Sequence, residues 1–397
     1  MTMTDTDSNA LVTPPKKASA TKAPVIVEIA RKHGVSPLRQ LKEMVQLNRG
    51  AGKLASTEYY AAGLYDPDIP MTQKREYVGV EGSYQLNVMM SPTNLTGARF
   101  FVQDKVVYTA LLDQLGFRAT HTQAVAQAGR LFGNIPALAT AEAIKTFLTE
   151  TAQYPVFAKP ARGTGSFGSA LLSGVQGDRL VLGNGRQIAL DDFCDEILRD
   201  YPDGFLFQTA LVQHDALTQV AGNAIGTIRV VTVRDTDMPR FLYALWKIPS
   251  PKAMSDNFWQ DGSMVASIQS DGSLGRCRIG TGLDARLIDE HPVSGAKFAD
   301  FKVPFFDQIP EFTAKAHALF PEFGVIGWDI AITPEGPTII EANDNPFHAL
   351  YQLAFGRGIR NPDFMPAFDA AAGISKQMYA RKKELFEKRK KQKNRTS

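Results

Sequence analysis

The sequence predicts an α+β protein built on antiparallel sheets, and three observations point there. Apolar runs of strand length, Ile228–Val233, Phe241–Ile248 and Met264–Ile268, are joined by turns containing Asp and Gly rather than by helices. The stretch from Gly327 to Pro346 reads as a hairpin folded at Pro334-Glu335-Gly336-Pro337, which has the Pro and Gly of a tight turn. Helical spacing occurs elsewhere, but without the regular strand–helix alternation of a parallel sheet. No internal repeat is present.

In chain order, Val25 to about Tyr65 reads as helical, with Ser36 as an N-cap and Pro37 at the first helical position. Leu38, Leu41, Met44 and Val45 follow at helical spacing, a stripe expected to be core. Turn-rich sequence follows around Asp66-Pro67-Asp68 and Ser91-Pro92-Thr93. Asp104 to Phe117 is helical again, ending at Gly116. Val156–Pro160 reads as a short buried strand and Ala170–Leu172 as the next, with a glycine-rich stretch between them. Phe205 to Val212 is an apolar strand, and Glu311 to Phe320 a helix ahead of the hairpin.

With 397 residues the chain is long enough for two or three domains. No run approaches the ~18 apolar residues needed to span a membrane. Met1 to about Ala23 is polar and lacks an apolar core, so it reads as a disordered tail and not a signal peptide. Cys194 and Cys277 are far apart in sequence and have no ligand partner at short spacing. A disulfide framework or thiolate zinc site is therefore disfavoured, and a cytoplasmic location is the expectation. The net charge of +3 hides an asymmetry: Lys376 to Ser397 holds ten Lys or Arg and two Glu, a local charge of +8. Such a tail suits weak contact with nucleic acid, an anionic membrane or an acidic partner, or it is a solvated helix end. No aromatic residue interleaves its terminal Lys-Arg-Lys-Lys run to stack on bases, which disfavours nucleic acid.

Two stretches carry chemistry. In the hairpin, Glu341 and Asn343 are two apart and point the same way, and folding at the turn brings Asp329 opposite Glu341 or within one residue of it. Two carboxylates and a carboxamide on one face make an all-oxygen set suited to Mg²⁺ or Mn²⁺. A surface hairpin edged with acids would share the pattern, but here the carboxylates abut apolar runs, where an unpaired charge is costly. Upstream, Arg162 to Ser169 holds three glycines and three hydroxyl residues between two strands, with Lys159 just before it. Glycine lets the backbone approach an anion, and successive N–H groups can cradle phosphate oxygens. Gly163, Gly165 and Gly168 match G-x-G-x-x-G, but the dinucleotide fingerprint needs a helix next and a strand is expected here. The strand–loop–strand setting is closer to the loops that cover ATP phosphates in kinases. A plain hairpin turn is the alternative.

Taken in order, these pieces resemble the ATP-grasp superfamily, and within it the sugar-transfer-associated branch related to α-L-glutamate ligases. The resemblance covers roughly residues 40 to 355. It rests on Gln103-Asp104-Lys105 opening a helix, Lys159 to Gly168, Leu206-Phe207-Gln208, Gly226 to Thr232 with Arg229, Asp256-Asn257-Phe258, His291 to Gly295, and the Asp329/Glu341/Asn343 hairpin. It implies two α+β subdomains clamping ATP: a lid subdomain over 103–212 and a C-terminal subdomain with the metal site over 213–372. Residues 1–24 are then a tail, 25–102 an N-terminal helical region and 373–397 the basic tail. It implies Lys105 and Lys159 on the α- and β-phosphates, Gly163, Thr164, Gly165, Ser166 and Gly168 over them, and Gln208 to Leu211 along the adenine. Asp329, Glu341 and Asn343 would hold the metal, and Arg229 would neutralise the transferring phosphoryl group. One departure is that the acidic residue expected soon after the hinge has only Asp215 to fill it.

The implied chemistry is ligation of a small-molecule carboxylate to an amine through an acyl phosphate, with a phosphotransferase or a silent nucleotide-binding partner as alternatives. Acceptor candidates are Lys247, Lys252, Asp256, Asn257 and His291, each of which surface polarity would also explain. His348 lies close to the metal strand, while His33, His121, His214 and His317 carry no pattern.

Overall fold

The computed structural model describes residues 24–95, 97–162, 168–251, 253–254, 262–280 and 282–396. Six helices come first: α1 (Val25–His33), α2 (Pro37–Arg49), α3 (Ser56–Ala61), α4 (Met71–Lys74), α5 (Val80–Met90) and α6 (Arg99–Val102). Ser36 caps α2 as expected, its hydroxyl accepting from Arg39 N–H at 3.3 Å. The expected core stripe of α2 is overturned. Leu38 is 77% exposed and Leu41 and Val45 are about half exposed, while the buried face carries Gln40, Glu43 and Leu47. A polar set explains the inversion. Glu43 accepts from Lys74 Nζ at 2.7 Å and from the Tyr59 hydroxyl at 2.8 Å. Gln40 donates to Val35 O at 2.7 Å and accepts from Tyr60 at 2.9 Å. With Arg39 Nε donating to Glu43 at 2.9 Å as well, this buried charge has three donors around it and is tolerated where a lone one is not. Spacing alone gives a stripe without saying which one turns inward.

Helix α7 (Lys105–Gln114) starts at Asp104, whose carboxylate accepts from the Val106 and Val107 N–H groups. It ends before Gly116, where φ is +82°. The first sheet contains β1 (Thr122–Ala126), β2 (Ala137–Leu138), β3 (Val156–Pro160), β4 (Ala170–Gln176), β5 (Arg179–Leu182), β6 (Gln187–Ala189) and β7 (Phe205–Thr209), in the order β2-β1-β7-β3-β4-β5-β6. All of its pairs are antiparallel except β1 with β2. The strand expected to reach Val212 ends at Thr209. Helices α8 (Ala141–Thr146) and α9 (Leu190–Asp200) cover one face, packing Ile144, Phe193 and Ile197 on Phe205 and Phe207. The other face meets α7, where Val106 packs on Val125 and Leu206.

The second sheet follows α10 (Asp215–Ala221). Its strands are β8 (Ile228–Val233), β9 (Arg240–Ile248), β10 (Met264–Ile268), β11 (Leu274–Ile279), β12 (Arg286–Ile288), β13 (Val325–Thr333) and β14 (Gly336–Asn343), with α11 (Ile309–Ala318) before β13. The order is β12-β11-β10-β9-β8-β13-β14, antiparallel throughout. Two further helices follow, α12 (Ala349–Phe355) and α13 (Met365–Thr396). Val230, Trp246 and Trp328 lie under α7, α10 and α11, and Val231, Tyr243 and Leu245 under α5, α12 and the start of α13. With both faces covered, β8 and β13 are buried at every residue, which is why they read as continuous apolar runs. Cys194 and Cys277 are free thiols in separate cores, pushed up to about 12 by burial and therefore unreactive. Among the described residues no helix is long and apolar enough to cross a membrane.

Candidate functional site

The hairpin register puts Asp329 opposite Glu341, at the tighter end of the expected range, and Gly327 opposite Asn343. On its other side Asp329 faces Arg229 of β8. Charges therefore line up across neighbouring strands on one sheet face. Arg229 grips Asp329 with both arms of its fork, Nε to Oδ1 at 2.5 Å and Nη2 to Oδ2 at 3.0 Å, and Lys247 Nζ of β9 reaches Oδ2 at 3.2 Å. All three residues are buried. Burial pushes the Asp329 carboxyl up, but the charges and hydrogen bonds of Arg229 and Lys247 outweigh it and hold the group well below the usual carboxylate range. Lys247, expected as an acceptor contact, is thus a member of this cluster.

The row continues onto α7. Lys105, its first residue, lies 3.4 Å from Glu341 Oε1. Tyr108 fixes that approach: its buried hydroxyl donates to Ile340 O at 3.1 Å and accepts from Ala342 N–H at 3.2 Å, pinning α7 to the edge strand β14 on both sides of Glu341. The chain after α7 covers the same edge, with Ile339 N–H donating to Arg118 O and Thr120 N–H to Ile339 O. One residue beyond Asn343, Asp344 is held by Arg99 and by Gln103 Nε2 at 3.2 Å.

On the first sheet Lys159 is directly opposite Leu206, so both point to the face that α7 covers. Its Nζ lies 5.9 Å from the centre of the Phe157 ring, and the residue is buried. Gln208 shares that face, but its amide donates to the Thr120 and Thr122 hydroxyls at 3.1 Å each, tying β7 to β1. The Thr209 and Ala210 N–H groups are taken by His121 O and Pro155 O. Leu211 follows them half-buried, and Asp215 opens α10, capped by His214 Nδ1. Gly168 sits at φ +74°, where a Cβ would run into the Tyr201 ring, and a strand follows it as expected. Gly163, Thr164, Gly165 and Ser166 lie outside the described residues, as do Lys252, Asp256 and Asn257.

Behind the row, His348 orders the chain that leaves β14. Asn87 donates to Asn345 Oδ1 at 2.7 Å and to Pro346 O at 2.9 Å, so its own oxygen accepts from His348 Nε2 at 2.8 Å. His348 Nδ1 then accepts from the Tyr243 hydroxyl at 3.0 Å. Burial, aided by the charge of Arg229, lowers this imidazole to about 3, so it is neutral. His291 instead closes a turn, its Nδ1 facing the Val293 and Ser294 N–H groups at 3.4 and 3.3 Å, and burial lowers it as well. The expected set around Asp329 and the helix-opening Lys105 converge; His291 is not tied to them by any contact among the described residues.

Among the described residues no three His, Cys, Asp or Glu side chains cluster closely enough to hold a metal. The expected set has two carboxylates and a carboxamide, and these differ in what they can still accept. Three of the roughly four lone-pair sites of Asp329 already face cations. Glu341 is partly exposed and makes one long contact. The Asn343 amide nitrogen is buried and makes no hydrogen bond among the described residues. Such an orphan costs about 1–3 kcal/mol unless a ligand meets it. A carboxamide offers N–H to a phosphate oxygen or, after a half-turn, Oδ1 to a cation. The residues fit a divalent cation shared with a polyphosphate.

The chain belongs to the sugar-transfer-associated ATP-grasp family, whose family model matches residues 88–364. No curated protein matches it. Among solved structures it is similar to the ATP-grasp ligase PsnB complexed with a minimal precursor, at 14% identity over 72% of this chain and 62% of that one, with a TM-score of 0.36. It is also similar to the D-alanine-D-alanine ligase from Coxiella burnetii, at 10% identity over 72% and 62% of the two chains and a TM-score of 0.40. The D-cycloserine synthetase DcsG matches at 13% identity over 73% of each chain, with a TM-score of 0.37. The chain thus spans about three fifths of the length of the first two. These are distant likenesses and carry no information on substrate.

Proposed function

We propose that the chain is an ATP- and Mg²⁺-dependent ligase that activates a substrate carboxylate as an acyl phosphate and joins it to an amine. The observation that carries this reading is the charge row Lys247–Arg229–Asp329–Glu341–Lys105, three cations on two acids across four strands and a helix. Without nucleotide these groups satisfy one another. With a polyphosphate present, Lys105 and Arg229 can exchange a carboxylate for phosphate oxygens at little desolvation cost, because the site is already polar and buried. Lys105 and Lys159 would take the α- and β-phosphates, with the Gly163 to Gly168 loop over them, and Arg229 would take the transferring group. The backbone from Gln208 to Leu211 would line the adenine. Glu341 and Asn343, with the remaining lone pair of Asp329, would hold the divalent cation, which supplies charge neutralisation on the phosphates when bound. Residues 103–212 act as the lid subdomain and 213–372 as the subdomain with the metal site. Phosphoryl transfer needs positioning and charge neutralisation, and no protein nucleophile is required. Closure of the two sheets would exclude the water that hydrolyses an acyl phosphate.

An ADP-release assay with Mg·ATP against pooled amino acids, dicarboxylates and sugar acids tests this, with products read by mass spectrometry. Acceptor-dependent ADP with free phosphate and an added amide mass is the expected result. Phosphate retained on the product would replace the ligase with a phosphotransferase acting on a hydroxyl. ATP binding without ADP release across the pool would count for a non-catalytic nucleotide-binding partner.

A further inference from the structure

The last helix leaves the body of the protein with its core-facing stripe still running. Inside the body, α13 buries Ala367, Phe368, Ala371, Ala372 and Ser375. Arg234 to Met378 and Lys382 to Glu322 tie the next turns to the body. Residues 383–392 are then exposed without exception, in helix that continues to Thr396. At 100° per residue, Tyr379, Lys382, Leu385, Phe386 and Arg389 fall on the same side as buried Phe368, Ala371 and Ser375. Tyr379 is 42%, Leu385 47% and Phe386 66% exposed. Both acids of this stretch, Glu384 and Glu387, fall on the opposite side, where Glu384 pairs with Lys388 at 2.7 Å. The stripe that is core within the body therefore emerges as apolar side chains flanked by cations, with no acid on it, on a segment of local charge +8.

We propose that this part of α13 is a docking surface for an anionic lipid bilayer. The helix would lie along the headgroups, with Leu385 and Phe386 at the acyl boundary and its Lys and Arg residues on the lipid phosphates. Charge complementarity selects this occupant. A second copy of the helix would bring +8 against +8. A nucleic acid would satisfy the cations but offer nothing to two adjacent large apolar side chains, whereas an anionic bilayer satisfies both. The exposed residues 383–392 span about 15 Å of helix, which suits lying on a surface and falls far short of crossing one.

Co-sedimentation of the full chain with vesicles tests the proposal, using phosphatidylcholine alone and with about one third phosphatidylglycerol. Binding to the anionic vesicles only, weakened by salt, is expected. Leu385→Glu with Phe386→Glu, on side chains outside the core, should lower partition at least tenfold with ATP binding and Tm unchanged. Replacing Lys388, Arg389, Lys390 and Lys391 with Gln should lower it by roughly fivefold per cation. Equal binding to neutral vesicles, or wild-type partition of the Leu385/Phe386 variant, would overturn the proposal. So would tighter binding to a duplex oligonucleotide that the Leu385/Phe386 variant leaves unchanged.

Discussion

The two seven-stranded sheets are built alike and charged differently. Helices cover both faces of each. On the first sheet α8 and α9 lie on one face and α7 on the other. On the second, α7, α10 and α11 lie on one face and α5, α12 and α13 on the other, with Arg229 and Lys247 on the latter face beside Val231 and Leu245. On the first sheet, the α7-side face holds, among the described residues, the buried cation Lys159 and an amide, Gln208, spent on holding β7 to β1. On the second, three cations and two acids run across β9, β8, β13, β14 and α7. The difference teaches a division of labour. In the proposed reading the first sheet would offer a handle for a phosphate, while the second would supply a paired set, three cations on two acids, whose members change partners when nucleotide binds. Helix α7 joins the two, since Val106 packs on the first sheet and Tyr108 is bonded to the last strand of the second.

The largest expected effect would come from Arg229→Met. It leaves Asp329 buried with Lys247 alone, so unfolding in urea should show a loss of about 3–5 kcal/mol. ADP release should vanish with it. Glu341→Ala should separate chemistry from folding. Turnover should fall at least ~10²-fold, because a cation site worth several kcal/mol is lost. Stability should move by less than about 1 kcal/mol, because Glu341 is partly exposed and its contact with Lys105 is long. Wild-type turnover in that variant would remove Glu341 from the site. Lys159→Met keeps the apolar stem and should weaken ATP binding about 10–100-fold, the worth of one charge-assisted hydrogen bond, with a smaller stability loss than Arg229→Met. Equal stability losses in the two variants would break the contrast between the sheets.

Acid should sharpen the contrast with the smallest effect. His317 and His348 are buried against the second sheet, and burial lowers them to about 4 and about 3. An unfolded histidine titrates near 6.5. Both are neutral in the fold, so the unfolded chain binds more protons as pH falls below about 6.5, and stability declines through that window toward pH 4. The only histidine from 103 to 212 is His121, which is exposed. Amide protection factors, exchange rates taken relative to the intrinsic rate at each pH, should therefore fall in β8 and β13 before β3 and β7 as the pH is lowered. The reverse order would contradict the burial argument.

The sequence made the second sheet legible because turn chemistry fixes register. Pro334-Glu335-Gly336-Pro337 sets the hairpin, and a two-residue period does the rest for Glu341 and Asn343. Runs buried on both faces were legible as strands for the same reason that they carry no alternation. Short edge strands such as β2, β6 and β12 were not, since two or three residues show no period. Helices α5, α9 and α12 also went unread. The α2 stripe misled because a buried Glu43–Lys74–Tyr59 set reverses the usual meaning of apolar spacing. Within the site, Asp329, Arg229, Glu341 and Lys105 were legible as motif residues. The pairing of Lys247 with Asp329 and the Asn87–His348–Tyr243 chain were not, because they join residues 82 to 261 positions apart. No local signal marks such contacts.

In the proposed reading the charge row and Lys159 form one Mg·ATP site. Calorimetric titration of ATP into the full chain, with and without Mg²⁺, tests it most directly, repeated on Glu341→Ala and Lys159→Met. Mg²⁺ should tighten ATP binding in the wild type, Glu341→Ala should lose that Mg²⁺ dependence, and Lys159→Met should bind ATP more weakly with the Mg²⁺ dependence kept. Binding indifferent to both substitutions would contradict it.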